Sequence, residues 1–341
     1  MGIRSAHQYS HTIGFFSLQG GRGFACPVDM VLDNEGLLYV LSRGSSESDE
    51  WVVAKRITVC SLSEEYLNQF SSGGIGYGEI MWPSAIAMDD AEKIYVADDA
   101  LQRISIFNKQ GQFLDSWGVM GSGNGEFDRP AGMAFDDDNN LLVVDGLNNR
   151  VQRYTRDGQF LGQWGRFGNR DGEFNMPWGI TTDRSGNVYV ADWRNDRIQK
   201  FDADGKHLSS WGTTGHGDGQ FHRPSGVAVD EEGTIYVADW GNHRIQILGP
   251  DGSFYEKFRG ESMLSKWALE YFTTNQDELE EREKANMEPE LNLPPGNFSS
   301  DESASVEKLF WGPTTVKVDD QGRVYVVDTS RHRIQVFVKD S

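Results

Sequence analysis

Residues 188–201 read VYVADWRNDRIQKF and residues 235–248 read IYVADWGNHRIQIL, nearly the same fourteen residues one step of 47 apart. A fixed step of that length marks a repeat architecture, in which each copy is a supersecondary unit that cannot bury its apolar face alone. The step recurs along the chain. Pro83, Pro130, Pro177 and Pro224 are 47 apart, and Trp117, Trp164 and Trp211 keep the same interval. So do Asp98, Asp145, Asp192 and Asp239, each followed five residues later by Arg103, Arg150, Arg197 and Arg244. Two further copies are interrupted. Pro27 and Pro83 are 56 apart, with nine extra residues between Ser42 and Arg56; Pro224 and Pro313 are 89 apart, with 42 extra residues after Phe258. The last copy repeats the acid–base pair as Asp328 and Arg333, which makes six copies.

One copy reads as four short strands. In residues 224–258, SGVAVD is closed by the turn EEG, IYVAD and RIQIL alternate, GPDG is a strong turn, and SFYEKF is the last run. A four-stranded sheet of this length cannot bury both faces by itself. Set radially, each sheet packs on the next, which is the blade of a propeller. The sequence therefore predicts an all-β fold, a six-bladed β-propeller of four-stranded antiparallel blades. The blades fall at about 27–82, 83–129, 130–176, 177–223, 224–260 and 313–341, in one domain spanning 1–341. The last copy stops at Ser341 without a fourth strand, and residues 11–19 are a strand with no blade of their own. Thr12–Leu18 is expected to pair beside Arg333–Val338 and fasten the ring.

The 38% hydrophobic content and 39 glycines suit a turn-rich β protein. No apolar run approaches the ~20 residues of a membrane span. MGIRSAHQYSHTIGFF lacks the apolar core and cleavage site of a signal peptide, and Cys26 and Cys60 provide no disulfide framework. A cytoplasmic protein with no membrane contact is the simplest expectation. The net charge of −20 repels phosphate backbones, so nucleic acid is not an expected partner; no clustering of Lys and Arg on one face is expected to offset it.

RPSGVAVDEEGTIYVADWGNHRIQIL and its copies closely resemble the NHL-repeat family over nearly the whole chain except residues 261–310. The resemblance implies the propeller fold but no single activity, because the family includes scaffolds, RNA-binding domains and a metal-dependent lyase of peptidyl-hydroxyglycine. Related six-bladed lactonases and phosphotriesterases hold calcium in the central channel, so a divalent cation such as calcium is an expectation here. The RNA readers use a basic top face, from which this acidic chain departs, and the lyase's three-histidine pattern is not recognisable.

The Asp–Arg pairs are most simply structural clasps, since a catalytic group rarely needs five copies: the carboxylate receives turn amides and the guanidinium fork. His243 and His332 occupy the position of Asn149 and Asp196 and read as part of the repeat, while remaining, with His222, candidates for contact with a ligand at the rim.

Function is better sought where the copies disagree. In an up-and-down blade, the loop between the second and third strands and the loop to the next blade emerge on one face, the top. The nine-residue insertion RGSSESDEW (residues 43–51) and the insertion at 261–310 both lie there. The larger begins ESMLSKWALEYF, where Ser262 is placed to cap a helix with Met263, Leu264, Trp267, Ala268, Tyr271 and Phe272 on one stripe. That stripe either staples a long loop onto the blades or forms a lid over the channel. Two residues beyond each proline, Ala85, Gly132, Gly179 and Gly226 are small, whereas Asp29 and Thr315 are not. Asp29 is the candidate metal ligand or general base. Trp82, Trp178, Trp193, Trp240 and Trp311 are candidate rim aromatics, and Arg43 is a candidate for binding an anionic ligand. No Ser-His-Asp spacing, zinc signature, phosphate loop or EF-hand loop occurs. The function expected is a lidded small-molecule site at the top of the channel, of hydrolase or lyase type. A protein-interaction scaffold or a ligand sensor without chemistry is the alternative.

Overall fold

Each of the first five copies folds as four antiparallel strands paired in sequence order, and the last copy supplies three, because alternating apolar runs are separated by turns, the first of which opens with an aspartate. In blade five these are Pro224–Val229, Ile235–Asp239, Arg244–Leu248 and Phe254–Phe258. Asp230 closes the first hairpin: its Oδ1 accepts the amides of Glu232 and Thr234, at 3.0 and 2.9 Å, and its Oδ2 accepts from Tyr236 Oη at 3.0 Å. Asp33, Asp89, Asp183 and Asp319 repeat the arrangement. The computed structural model describes residues 7–44, 51–287, 289, 291 and 300–339.

The second strand of each blade is buried on both faces because a neighbouring blade covers each. Tyr236 and Ala238 pack towards blade six, while Ile235 and Val237 pack towards blade four. Six apolar clusters result, one per junction. The hydrophobic core is thus a ring of interfaces around a channel lined by the first strands.

The ring is closed by an N-terminal strand, but not the span expected. His7–Ile13 pairs antiparallel with the last strand, from His7 opposite Lys339 to Ile13 opposite Ile334. Thr12–Leu18 is corrected by Gly14, whose φ of +88° ends the strand. The outer strands ending at Trp117, Trp164 and Trp211 are each followed by a glycine at similar φ, Gly118 (+106°), Gly165 (+92°) and Gly212 (+101°). Ile13–Gly14 is the same step. A Cβ at Gly14 would lie 2.2 Å from Phe24 Cε2, so position and conformation both require glycine.

The insertion after blade five contains helices α2 (Lys266–Thr274), α3 (Gln276–Lys284) and α4 (Ser300–Ser305); the short α1 (Trp51–Ala54) lies in blade one. The cap of α2 is Ser265, whose Oγ accepts from Ala268 N at 3.1 Å, not Ser262. Trp267 is buried against Phe24 at 5.8 Å between centroids, and Glu64, in the outer hairpin of blade one, accepts the amides of Gly14 and Lys266. Helix α2 is therefore a staple where blades six and one meet, while Phe310 belongs to the junction of blades five and six. Residues 288, 290 and 292–299 lie outside the described residues, as do 45–50 of the smaller insertion. No helix among the described residues is long and apolar enough to cross a membrane.

Candidate ligand-binding mouth

The inner strand begins at a proline in five blades, and in blade four Pro177 precedes the strand Ile180–Thr182; the residues after these prolines form a ring at the upper end of the channel. Around the ring these are Val28, Ser84, Ala131, Trp178, Ser225 and Thr314. Outside them stands a second ring, the first residue of each upper loop: Arg43, Asp99, Gly146, Trp193, Trp240 and Thr329. Members of both rings enclose a cup of about 190 Å³, with Trp178, Trp193 and Trp240 on the side of blades four and five and Arg43 opposite. Trp193 and Trp240 lie 6.3 Å apart with their planes at 48°. The Arg43 guanidinium sits 4.2 Å over the Trp82 ring and 3.4 Å from Asp99 Oδ2, a long and weak contact. Burial lowers the pKa of Arg43, with Asp99 opposing, and raises that of Asp99, with Arg43 opposing.

Below the cup the channel is pinched. Gly132 N donates to Trp178 O at 2.8 Å across the blade junction, and a Cβ at Gly132 or Gly179 would lie 2.5 Å from the next blade's carbonyl oxygen. This close approach explains the small residues two beyond the proline. Asp29 holds the corresponding place between blades one and two with its carboxylate: it is buried, Oδ1 accepts from Met30 N at 2.8 Å, and Oδ2 accepts from Ile86 N at 3.0 Å. Lys317 Nζ lies 3.3 Å from Oδ1. Asp29 thus has an ammonium as its cation and sits beneath the cup rather than in its wall. Calcium needs six to eight oxygen ligands, and among the described residues no three His, Cys, Asp or Glu are placed to share an ion. The donor set does not fit the expected cation.

The lower end opens into a larger funnel of about 900 Å³, bordered by the aspartate-closed hairpins. Size alone would favour it as a binding site. Its hairpin aspartates, however, are committed to turn amides in the same way blade after blade, as at Asp33 and Asp319. The top mouth is where the copies differ.

The clasps organise the crossings between blades. Asp145, Asp192, Asp239 and Asp328 accept from the Nε of Arg150, Arg197, Arg244 and Arg333 at 2.8–2.9 Å. The same arginines donate to carbonyls of the loop entering the blade, as Arg150 does to Gly123 and Glu126. Burial raises these aspartates' pKa values and the arginines pull them back. In blade two the pair is broken: Asp98 accepts the amides of Met81, Trp82 and Leu101, and the buried Nε of Arg103 has no partner. Sequence reasoning missed Gln152, Gln199 and Gln246, two residues after each arginine, whose Nε2 donates to the same aspartate at 3.0–3.1 Å.

The structure brings Arg43, Trp178, Trp193 and Trp240 together in the cup, and leaves the other expected residues outside its wall. Trp82 carries Arg43 on its face, and Trp311 lies under Arg331 at 5.5 Å. The Nδ1 atoms of His243 and His332 are engaged in the fold, accepting the amides of Gly312 and Cys26, each at 2.9 Å. Burial holds both imidazoles down to about 4, so they are neutral acceptors. His222 donates its amide to Asp239 at 2.8 Å, with its ring against Gly241. No described residue of the insertion lines the cup, and the rest of the expected lid lies outside the described residues. Ser84, Ser225 and Thr314 were missed, although their place after each proline was open to the same repeat argument.

A ring of six four-stranded blades with a cup at its upper mouth defines the class: a six-bladed β-propeller. Within the chain the NHL repeat matches residues 174–201, 221–248 and 310–337, and a family described as a 6-bladed beta-propeller matches 78–164. No curated protein matches the chain. Among solved structures it is similar to a catalytically inactive virginiamycin B lyase from Staphylococcus aureus with quinupristin, at 12% identity, covering 98% of this chain and 99% of that one, with a TM-score of 0.58. It is also similar to an auxiliary nutrient binding protein from Bacteroides thetaiotaomicron, at 14% identity over 99% and 78% of the two chains, with a TM-score of 0.63. A protein of unknown function from the same organism matches at 15% identity over 99% and 77%, also at 0.63. At such identities the likeness concerns the fold alone.

Proposed function

We propose that this propeller binds a small molecule at its upper mouth, by inserting one ring-sized apolar or aromatic group among Trp178, Trp193 and Trp240. The observation that carries this is the cup: three tryptophans from two adjacent blades, at positions where no other copy has an aromatic residue, converge on one space. Its volume of about 190 Å³ is below the ~300–1,000 Å³ usual for whole ligands and suits one ring of a larger molecule.

Binding is favoured over the hydrolase or lyase reading by the chemistry of the wall. Turnover of those types needs a group to move a proton. The described lining residues are apolar, an arginine, or hydroxyls already donating to carbonyls: Ser84 to Pro130 O at 2.7 Å and Ser225 to Thr314 O at 2.8 Å. The similar folds include both a lyase and a nutrient-binding protein, so the fold does not decide between them.

The test is titration with single-ring fragments such as indole, followed by tryptophan fluorescence. Binding should weaken about ten-fold or more in Trp178→Ala or Trp240→Ala, the loss of one stacking face. Unchanged affinity in both variants would refute the site. Stoichiometric turnover of any bound fragment would restore the enzyme reading.

A further inference from the structure

The chain carries a net charge of −20, yet arginines gather at the mouth. Arg223 and Arg194 lie 4.9 and 5.6 Å over the ring of Trp193, itself a wall of the cup. Arg43 lines the opposite side, and Arg129 is near enough to act electrostatically on both Arg43 and Asp99. Arg129, Arg194 and Arg223 are exposed, and among the described residues none of the three forms an ion pair. Several exposed arginines elsewhere do: Arg166 with Glu173, Arg156 with Asp90, and Arg184 with Glu231. Among the described residues the nearest carboxylates are already engaged: Asp99 with Arg43, Asp98 with the amides of Met81, Trp82 and Leu101, and Asp196 with the amide of Arg223.

We infer that the mouth selects a planar organic anion, a single aromatic ring system bearing a carboxylate or another oxyanion. This rests on the reading of the cup as a ring-binding site. The ring enters between the tryptophans, and the anionic group meets the guanidinium planes that already lie against Trp193. A guanidinium offers paired donors matched to a planar oxyanion, which a point cation does not. Positive charge round a recess with apolar walls also concentrates anions there despite the acidic remainder of the surface.

The probes are indole, indole-3-acetate and tryptamine, which share one ring system and differ in charge. Calorimetry on the intact protein at low salt should rank them acetate first, indole second and tryptamine last, with the acetate about ten-fold tighter than indole and converging on it as salt rises. In the double variant Arg129→Met, Arg223→Met, indole should bind as before while the acetate loses its advantage. Equal binding of all three probes, a preference for tryptamine, or an acetate advantage undiminished in the double variant would overturn the inference and leave the ring-binding cup standing. Failure of indole itself to bind would remove the cup and this inference together.

Discussion

Asn149, Asp196, His243 and His332 occupy one position in successive blades and do one job. Each accepts the amide of the residue preceding the next blade's proline, at 2.7–2.9 Å, from a backbone with φ of 51–56°. The sequence showed the equivalence but not the task, because the acceptor's partner lies in the neighbouring blade. The histidines make stability pH-dependent. With folded-state values of about 4 against an ordinary 6.5, the unfolded chain takes up protons that the folded one refuses, so stability present above about 6.5 is lost as pH falls towards 4. The double variant His243→Asn, His332→Asn keeps the acceptor and removes the titration. Urea denaturation should find it close to the parent at about pH 7.5 and less weakened than the parent at about pH 5. An equal loss in both proteins would contradict the assignment.

At the scale of elements, four strands per blade were legible because apolar alternation and turn residues repeat at one step. The closing strand was legible in kind, and its true span was written in TIG at 12–14, the counterpart of SWG at 116–118. The apolar FFSL beyond it continues the strand-like pattern past the glycine that ends it. The helical stripe around Trp267 was also visible, but its destination was not: Phe24 is 243 residues away in sequence, and nothing local names it. Deleting residues 1–13 should expose the edge of Arg333–Lys339 and open the junction held by Ile13, Trp267 and Phe24. The truncated protein should aggregate or lose cooperative unfolding, and light scattering during a thermal melt would detect it. An unchanged melting transition would show that the ring does not depend on this pairing.

For the whole molecule, pseudo-symmetry decides what could be read. Equivalent positions in the repeat become equivalent positions around the channel, so the departures at Trp178, Trp193, Trp240 and Arg43 could be assigned to one mouth in advance. Asp29 was equally visible as a departure, but its partners Ile86 and Lys317 come from the blades on either side, and the ammonium that occupies it was not foreseen. The arginines escaped notice for the same geometric reason. Arg43, Arg129, Arg194 and Arg223 make no run in the sequence, and the ring alone gathers them at one mouth.

The central claim is that the upper mouth, not the larger lower funnel, holds the ligand. A crystal structure of the protein soaked with indole tests this most directly. The account predicts the ring in the cup, in contact with Trp178, Trp193 and Trp240. A ring found instead in the lower funnel, against Met30, Met133 and Phe135, would contradict it.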